Sequence, residues 1–183
     1  MIGADLSTVF AKDIIAEDAD MDDFLLGLRV LLLLAAANNA PIGAKLLLGA
    51  RWSAPLDGGL HFFDGQPLLG SSKTVRGFMS AVLGAAIVAV PLGFSLRLGA
   101  EVGAFAMVGD ALASFVKRRL RVGPSERATG IDQIPEALLP LLVIRGALNL
   151  SWLQVFAIAL AFFALEIPLA RLAFRIGLRD RPH

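Results

Sequence analysis

The chain has 183 residues, of which 56% are hydrophobic and 18% charged, with a mean hydropathy of +0.70. Soluble domains are roughly 45–50% apolar and about 25% charged, so this composition excludes an ordinary water-soluble globule and a disordered chain alike. The absence of cysteine removes disulfides, thiolate metal sites and cysteine nucleophiles, and a net charge of +1 carries less information than which loops hold the charges.

Residues 1–23 hold Asp5, Asp13, Glu17, Asp18, Asp20, Asp22 and Asp23 against the single Lys12, the reverse of a cationic signal-peptide start, so no cleavage is expected. Leu6, Val9, Phe10 and Ile14 recur at helical spacing and suggest a short interfacial helix in this acidic, extracytoplasmic segment. A spanning helix uses about 20 residues. Span one is expected from Phe24, ending near Asn38-Asn39-Ala40-Pro41 and Lys45. A polar loop over about 50–76 follows, broken by Pro55, Gly58-Gly59, Gly65, Pro67 and Gly70. Span two covers Gly77 to about Leu96 with a kink at Pro91, and Arg97–Glu101 reads as a tight turn. Span three runs from Val102 into Lys117, a second loop spans about 118–133, and span four runs from Ile134 to about Asn149 with Pro135 in its first turn. Span five covers Trp152–Leu172, so residues 24–174 form an all-α domain of five transmembrane helices, and 175–183 a basic tail.

The cations fall on one side. Lys45, Arg51, Lys73 and Arg76 follow span one, Lys117, Arg118, Arg119, Arg121 and Arg127 follow span three, and Arg171, Arg175, Arg179 and Arg181 close the chain. The other side has Lys12, Arg29, Arg97 and Arg145. The positive-inside rule therefore puts the N-terminus of this integral membrane protein outside and both long loops and the C-terminus in the cytosol.

Asp110 is the most informative residue. An acid within a span costs about 2.5–3.5 kcal/mol on insertion scales and marks a functional position by default. At 1.5 Å per residue it lies about 10 Å deeper than Lys117. Ser114, Lys117, Arg118 and Arg121 share its helix face, a polar stripe suited to a divalent metal held beneath a polyanion; simple pairing with a lysine or arginine is the plainer alternative. Gly70-Ser71-Ser72-Lys73-Thr74 is not a Walker motif, because two serines separate glycine from lysine and no strand precedes it. Its backbone amides and hydroxyls, with Lys73 and the guanidinium fork of Arg76 at the start of span two, still suit a phosphate, although a positive-inside anchor explains the two cations equally well. Asp132 caps span four or supplies a second carboxylate for a metal, with Glu136 in reserve. Asn38 and Asn39 are expected to hydrogen-bond between helices, with contact to a base or phosphate as the alternative. There is no histidine-rich metal spacing, no Gly-x-Ser-x-Gly nucleophile and no nucleic-acid signature.

The ordered set Ala37-Asn38-Asn39-Ala40-Pro41, Asp64-Gly65 with Leu68-Leu69-Gly70, Lys73-Thr74-x-Arg76-Gly77, Gly109-Asp110 with Ser114-Phe115-x-Lys117-Arg118-Arg119, and Asp132-Gln133 resembles the CDP-archaeol synthase family, membrane CTP-transferases related to the CDP-diacylglycerol synthases. Leu172-Ala173-Phe174-Arg175-Ile176-Gly177-Leu178 also resembles the family's ending. The resemblance implies five transmembrane helices, magnesium dependence and transfer of CMP from CTP to a lipid phosphate, archaeol phosphate-like or phosphatidic acid-like. It also implies substrate contacts from Asn38, Asn39, Asp64 and Arg119. Where family members often carry a second acid shortly after the Asp-Gln pair, this chain has Pro135 and then Glu136. Combined with the residue-level reading, magnesium is expected on Asp110 and Asp132, the phosphates on Lys73, Arg76, Lys117 and Arg118, and oriented oxygens near Ser114 and Thr74. The competing expectations are a small transporter or channel using Asp110 as a carrier, and a non-catalytic scaffold.

Overall fold

The computed structural model describes residues 6–123 and 133–175, and among these it has five helices and no strand, with isolated β-bridges joining Pro55 to Thr74 and His61 to Pro67. The helices are α1 (Leu6–Leu48), α2 (Val75–Ala89), α3 (Leu96–Arg119), α4 (Gln133–Ile144) and α5 (Trp152–Arg175). Two stretches, Asp20–Leu48 and α3, are long and apolar enough to cross a bilayer. The helix expected over Leu6–Ile14 is not a separate element. It continues into span one, because no glycine or proline interrupts the chain between Leu6 and Gly27.

Helix α3 is the centre, packed against α1, α2 and α4, while α5 closes the bundle against α1 and α4. Backbone proximity comes from small residues. A Cβ on Gly99 would lie 2.5 Å from the Ala85 carbonyl oxygen and one on Gly103 2.4 Å from that of Ala81, so α2 and α3 run antiparallel in direct backbone contact. Ala81, Ala85, Ala89, Val102 and Ala106 are buried on this seam, whereas Leu83, Ile87, Leu153, Phe156 and Leu160 stand exposed on the outside. A seam of small residues with large apolar side chains exposed around it is the pattern of a bundle solvated by hydrocarbon rather than water.

The α2–α3 connection differs from the expected one. Pro91 does not kink a longer span. The chain turns at 90–94, where Gly93 (φ 82°) donates to the Val90 carbonyl at 3.0 Å and Phe94 to that of Ala89 at 2.9 Å, a Schellman closure. Ser95 then caps α3 by accepting from the Leu98 amide, so Arg97–Glu101 is helical rather than a turn, and its two charges form an i,i+4 ion pair at 2.9 Å. At the other end of α3 the helix stops at Arg119, and Arg121 takes the left-handed position (φ 57°) with Val122 donating to Lys117 at 3.0 Å. Arg121 thus leaves the polar stripe to which helical periodicity assigned it. Helix α4 is shorter than the expected span, ending at Ile144.

Candidate active site

The C-terminal part of α1, the start of α2, the middle of α3 and the start of α4 come together on one side of the bundle. Between them is a cavity of ≈ 200 Å³ lined by polar side chains from four segments: Asn38 on α1, Ser72, Lys73 and Thr74 before α2, Asp110 on α3 and Glu136 on α4. Pro41, Phe78 and Met107 form part of its apolar wall.

Gly109 brings two of those segments together. A Cβ there would lie 2.2 Å from the Pro135 carbonyl oxygen and 2.8 Å from the Glu136 nitrogen, so only glycine lets α4 approach α3 this closely and puts Glu136 and Asp110 on one cavity wall. Asp110 is paired: its Oδ2 lies 2.5 Å from Lys73 Nζ, with the two side chains 23% and 20% exposed. The Lys73 backbone is held in turn, accepting from the Leu56 amide at 2.7 Å and donating to Gly70 at 3.2 Å. Thr74 is the N-cap of α2, its hydroxyl accepting from the Gly77 amide at 3.1 Å.

The two asparagines part company. Asn39 is exposed and donates to the Ala35 carbonyl of its own helix at 2.8 Å. The buried amide of Asn38 has no hydrogen-bond partner for either Oδ1 or Nδ2 among the described residues, and it lines the cavity. Neither makes the expected interhelical hydrogen bond.

Part of the expected backbone cradle for phosphate is occupied, the amides of Gly70 and Lys73 being already used. Asp57 accepts from the amides of Gly59 (3.0 Å), Leu69 (2.8 Å) and Gly70 (3.3 Å). Burial pushes its carboxyl up, but these amides together outweigh it and hold the pKa below the ordinary 3.8. The first amides of α2 are also used, Val75 donating to Ala54 at 3.0 Å and Arg76 to Trp52 at 3.2 Å. An anion entering here meets the Lys73 ammonium, while the amides of Gly70, Lys73, Val75 and Arg76 are already engaged. Asp57 was not singled out from the sequence, since its partners are backbone groups with no residue signature.

Among the described residues, the remaining sequence-selected ones do not line the cavity. Buried Arg76 donates from Nη1 to the carbonyls of Gly49 and, at 3.1 Å, Arg51, bracing the end of α1. Buried Arg118 donates to Gly123 at 3.0 Å. Arg119 pairs with Asp64 at 2.9 Å, donates to the Pro67 carbonyl at 2.7 Å, and lies 4.7 and 4.6 Å from the ring centres of Phe62 and Phe115. It therefore pins the first loop onto α3. Ser114 and Lys117 are buried on α3 outside the cavity. Asp132 lies outside the described residues. No cluster of three or more His, Asp or Glu occurs among the described residues. Asp110, Glu136 and Asn38 nonetheless place hard oxygen donors around one cavity, a donor set suited to magnesium.

The profile of the CDP-archaeol synthase family matches residues 21–99 and 91–183. The chain is similar to the CDP-archaeol synthase of Thermofilum pendens, 36% identical over 157 residues that make up 80% of this chain and 74% of the relative. It is 33% identical to that of Hyperthermus butylicus over 159 residues, 80% of this chain and 89% of the relative. A solved structure described as an intramembrane enzyme for archaeal membrane lipid biosynthesis is similar with a TM-score of 0.66 at 25% identity, covering 78% of this chain and 90% of that one.

Proposed function

The chain belongs to the CDP-archaeol synthase family, making it a CTP-dependent cytidylyltransferase of the membrane, and we propose that it transfers CMP from CTP to the phosphate of an archaeol-type lipid. A lipid phosphate oxygen bonds to the α-phosphorus of CTP, the bond to the β-phosphate bridge oxygen breaks, and pyrophosphate leaves. The observation that carries this reading at the level of residues is the Lys73–Asp110 pair lining a polar cavity beside Glu136 and Asn38.

A lipid phosphate is anionic at neutral pH, so the site needs no strong general base. Its task is to let two anions meet. Asp110 would hold a magnesium ion, with Glu136 on the same wall as the second carboxylate; Asp132, assigned this role from sequence, is the alternative. Magnesium, when bound, neutralises phosphate charge and polarises the reacting phosphorus. Lys73 binds triphosphate oxygens, Ser72 and Thr74 bound the same pocket, and Asn38 offers a donor and an acceptor to the substrate. Arg76, Arg118 and Arg119 act one step back, fixing helix and loop ends. In this reading all five helices lie in the bilayer, the cavity opens to the cytosol, and the transporter and scaffold alternatives lapse.

The test of the lipid assignment is competition between an archaeol-type phosphate and phosphatidic acid for purified enzyme. Preferential conversion of the ether lipid is expected, and equal or better use of phosphatidic acid would overturn the assignment.

A further inference from the structure

We propose that Lys73 is a resident stand-in for the divalent metal, seated on Asp110 until a nucleotide triphosphate draws it away, so that metal and nucleotide enter as a pair and neither binds well alone. The inference rests on the reading of Asp110 as a metal ligand.

The Lys73 ammonium sits 2.5 Å from Asp110 Oδ2, within a cavity that also holds Glu136. A carboxylate in this low-dielectric position without a cation would be costly, and Lys73 supplies one. The same contact obstructs a metal, because a divalent ion approaching Asp110 meets a positive charge already on the oxygen it needs. The lysine backbone is fixed by its bonds to Leu56 and Gly70 and by the α2 cap that follows, so any departure of the ammonium runs through the rotatable bonds of its four-carbon side chain. A polyanionic triphosphate in the cavity gives the ammonium a more highly charged partner, and its departure exposes Asp110 to the metal. Linkage makes the effect reciprocal: the nucleotide raises the affinity for metal by the factor by which metal raises the affinity for nucleotide.

The probe is Mn2+ titrated into purified, monodisperse protein without nucleotide and followed by electron paramagnetic resonance, with labelled CTP binding measured at zero and saturating Mn2+. Wild type is expected to bind Mn2+ alone weakly. Lys73→Gln is expected to bind it roughly 10-fold more tightly and to lose most of the metal–CTP coupling. Lys73→Arg, which keeps a cation on the carboxylate, should behave as wild type towards Mn2+ alone. Equal Mn2+ affinity in wild type and Lys73→Gln, with Asp110→Asn still abolishing metal-dependent CTP binding, would overturn the stand-in role and leave the metal site standing. A gain in Lys73→Gln that persists when Asp110→Asn is added would remove Asp110 as the ligand, and with it both readings.

Discussion

Two residues show what an apolar sequence reveals and what it conceals. Asp110 stands out from sequence because a carboxylate inside an uncharged run is costly, yet its partner Lys73 lies 37 positions away and is brought to it only by the close packing of α2 on α3. Asn38 and Asn39 are indistinguishable in sequence. Asn39 satisfies itself on its own helix, while Asn38, a lining residue of the cavity, has a buried amide with no hydrogen-bond partner among the described residues. Asn38→Leu breaks no protein hydrogen bond and is predicted to leave the thermal midpoint little changed while lowering kcat/KM for CTP roughly 10-fold, and a matching loss of stability would assign Asn38 to structure instead. Asp57 makes the opposite prediction. Its folded carboxyl titrates below the ordinary 3.8, so the order it gives the first loop is complete above that pH and is lost as pH falls through the lowered value. Limited proteolysis between residues 57 and 70 should be insensitive to pH from about 8 to 5 in wild type. Asp57→Ala should be cut faster throughout that range.

At the scale of elements, helices were legible as apolar runs and their ends were not. The charges of Arg97 and Glu101 interrupt hydropathy and read as a turn, but four residues apart they form a pair that supports a helix. The actual break at 90–94 depends on the left-handed backbone at Gly93, a conformation that hydropathy does not report. Glycines at the helix seams carry the tightest constraint. Gly103→Ala would press a methyl against the Ala81 carbonyl, and a loss of about 1–3 kcal/mol, read as a lowered thermal midpoint, is expected. Gly109→Ala would instead push Pro135 and Glu136 away from Asp110, with a roughly 10- to 100-fold fall in kcat. Its metal requirement should rise as well, whereas Gly103→Ala should leave that requirement unchanged. Identical metal requirements in the two variants would contradict the positioning role of Gly109.

For the whole molecule, composition announced a membrane protein, and the many large apolar side chains left exposed around the small-residue seam of α2 and α3 agree with it. The bias of lysine and arginine towards the loops predicts sidedness. Because the chain has no cysteine, single cysteines report it directly. Phe63→Cys, at a fully exposed loop position, should react with an impermeant maleimide only from the cytosolic face, and Arg97→Cys, where the side chain is 89% exposed, only from the opposite face. What the sequence could not supply was the convergence of four distant segments on one cavity, which depends on glycine contacts between helices rather than on any local motif. The decisive measurement is incorporation of CMP from labelled CTP into an extractable archaeol-type lipid by monodisperse protein, with and without Mg2+, in wild type and Asp110→Asn. Metal-dependent product with release of pyrophosphate by wild type, and its near-complete loss in Asp110→Asn, is the predicted result; wild-type turnover by the folded Asp110→Asn protein would contradict the account.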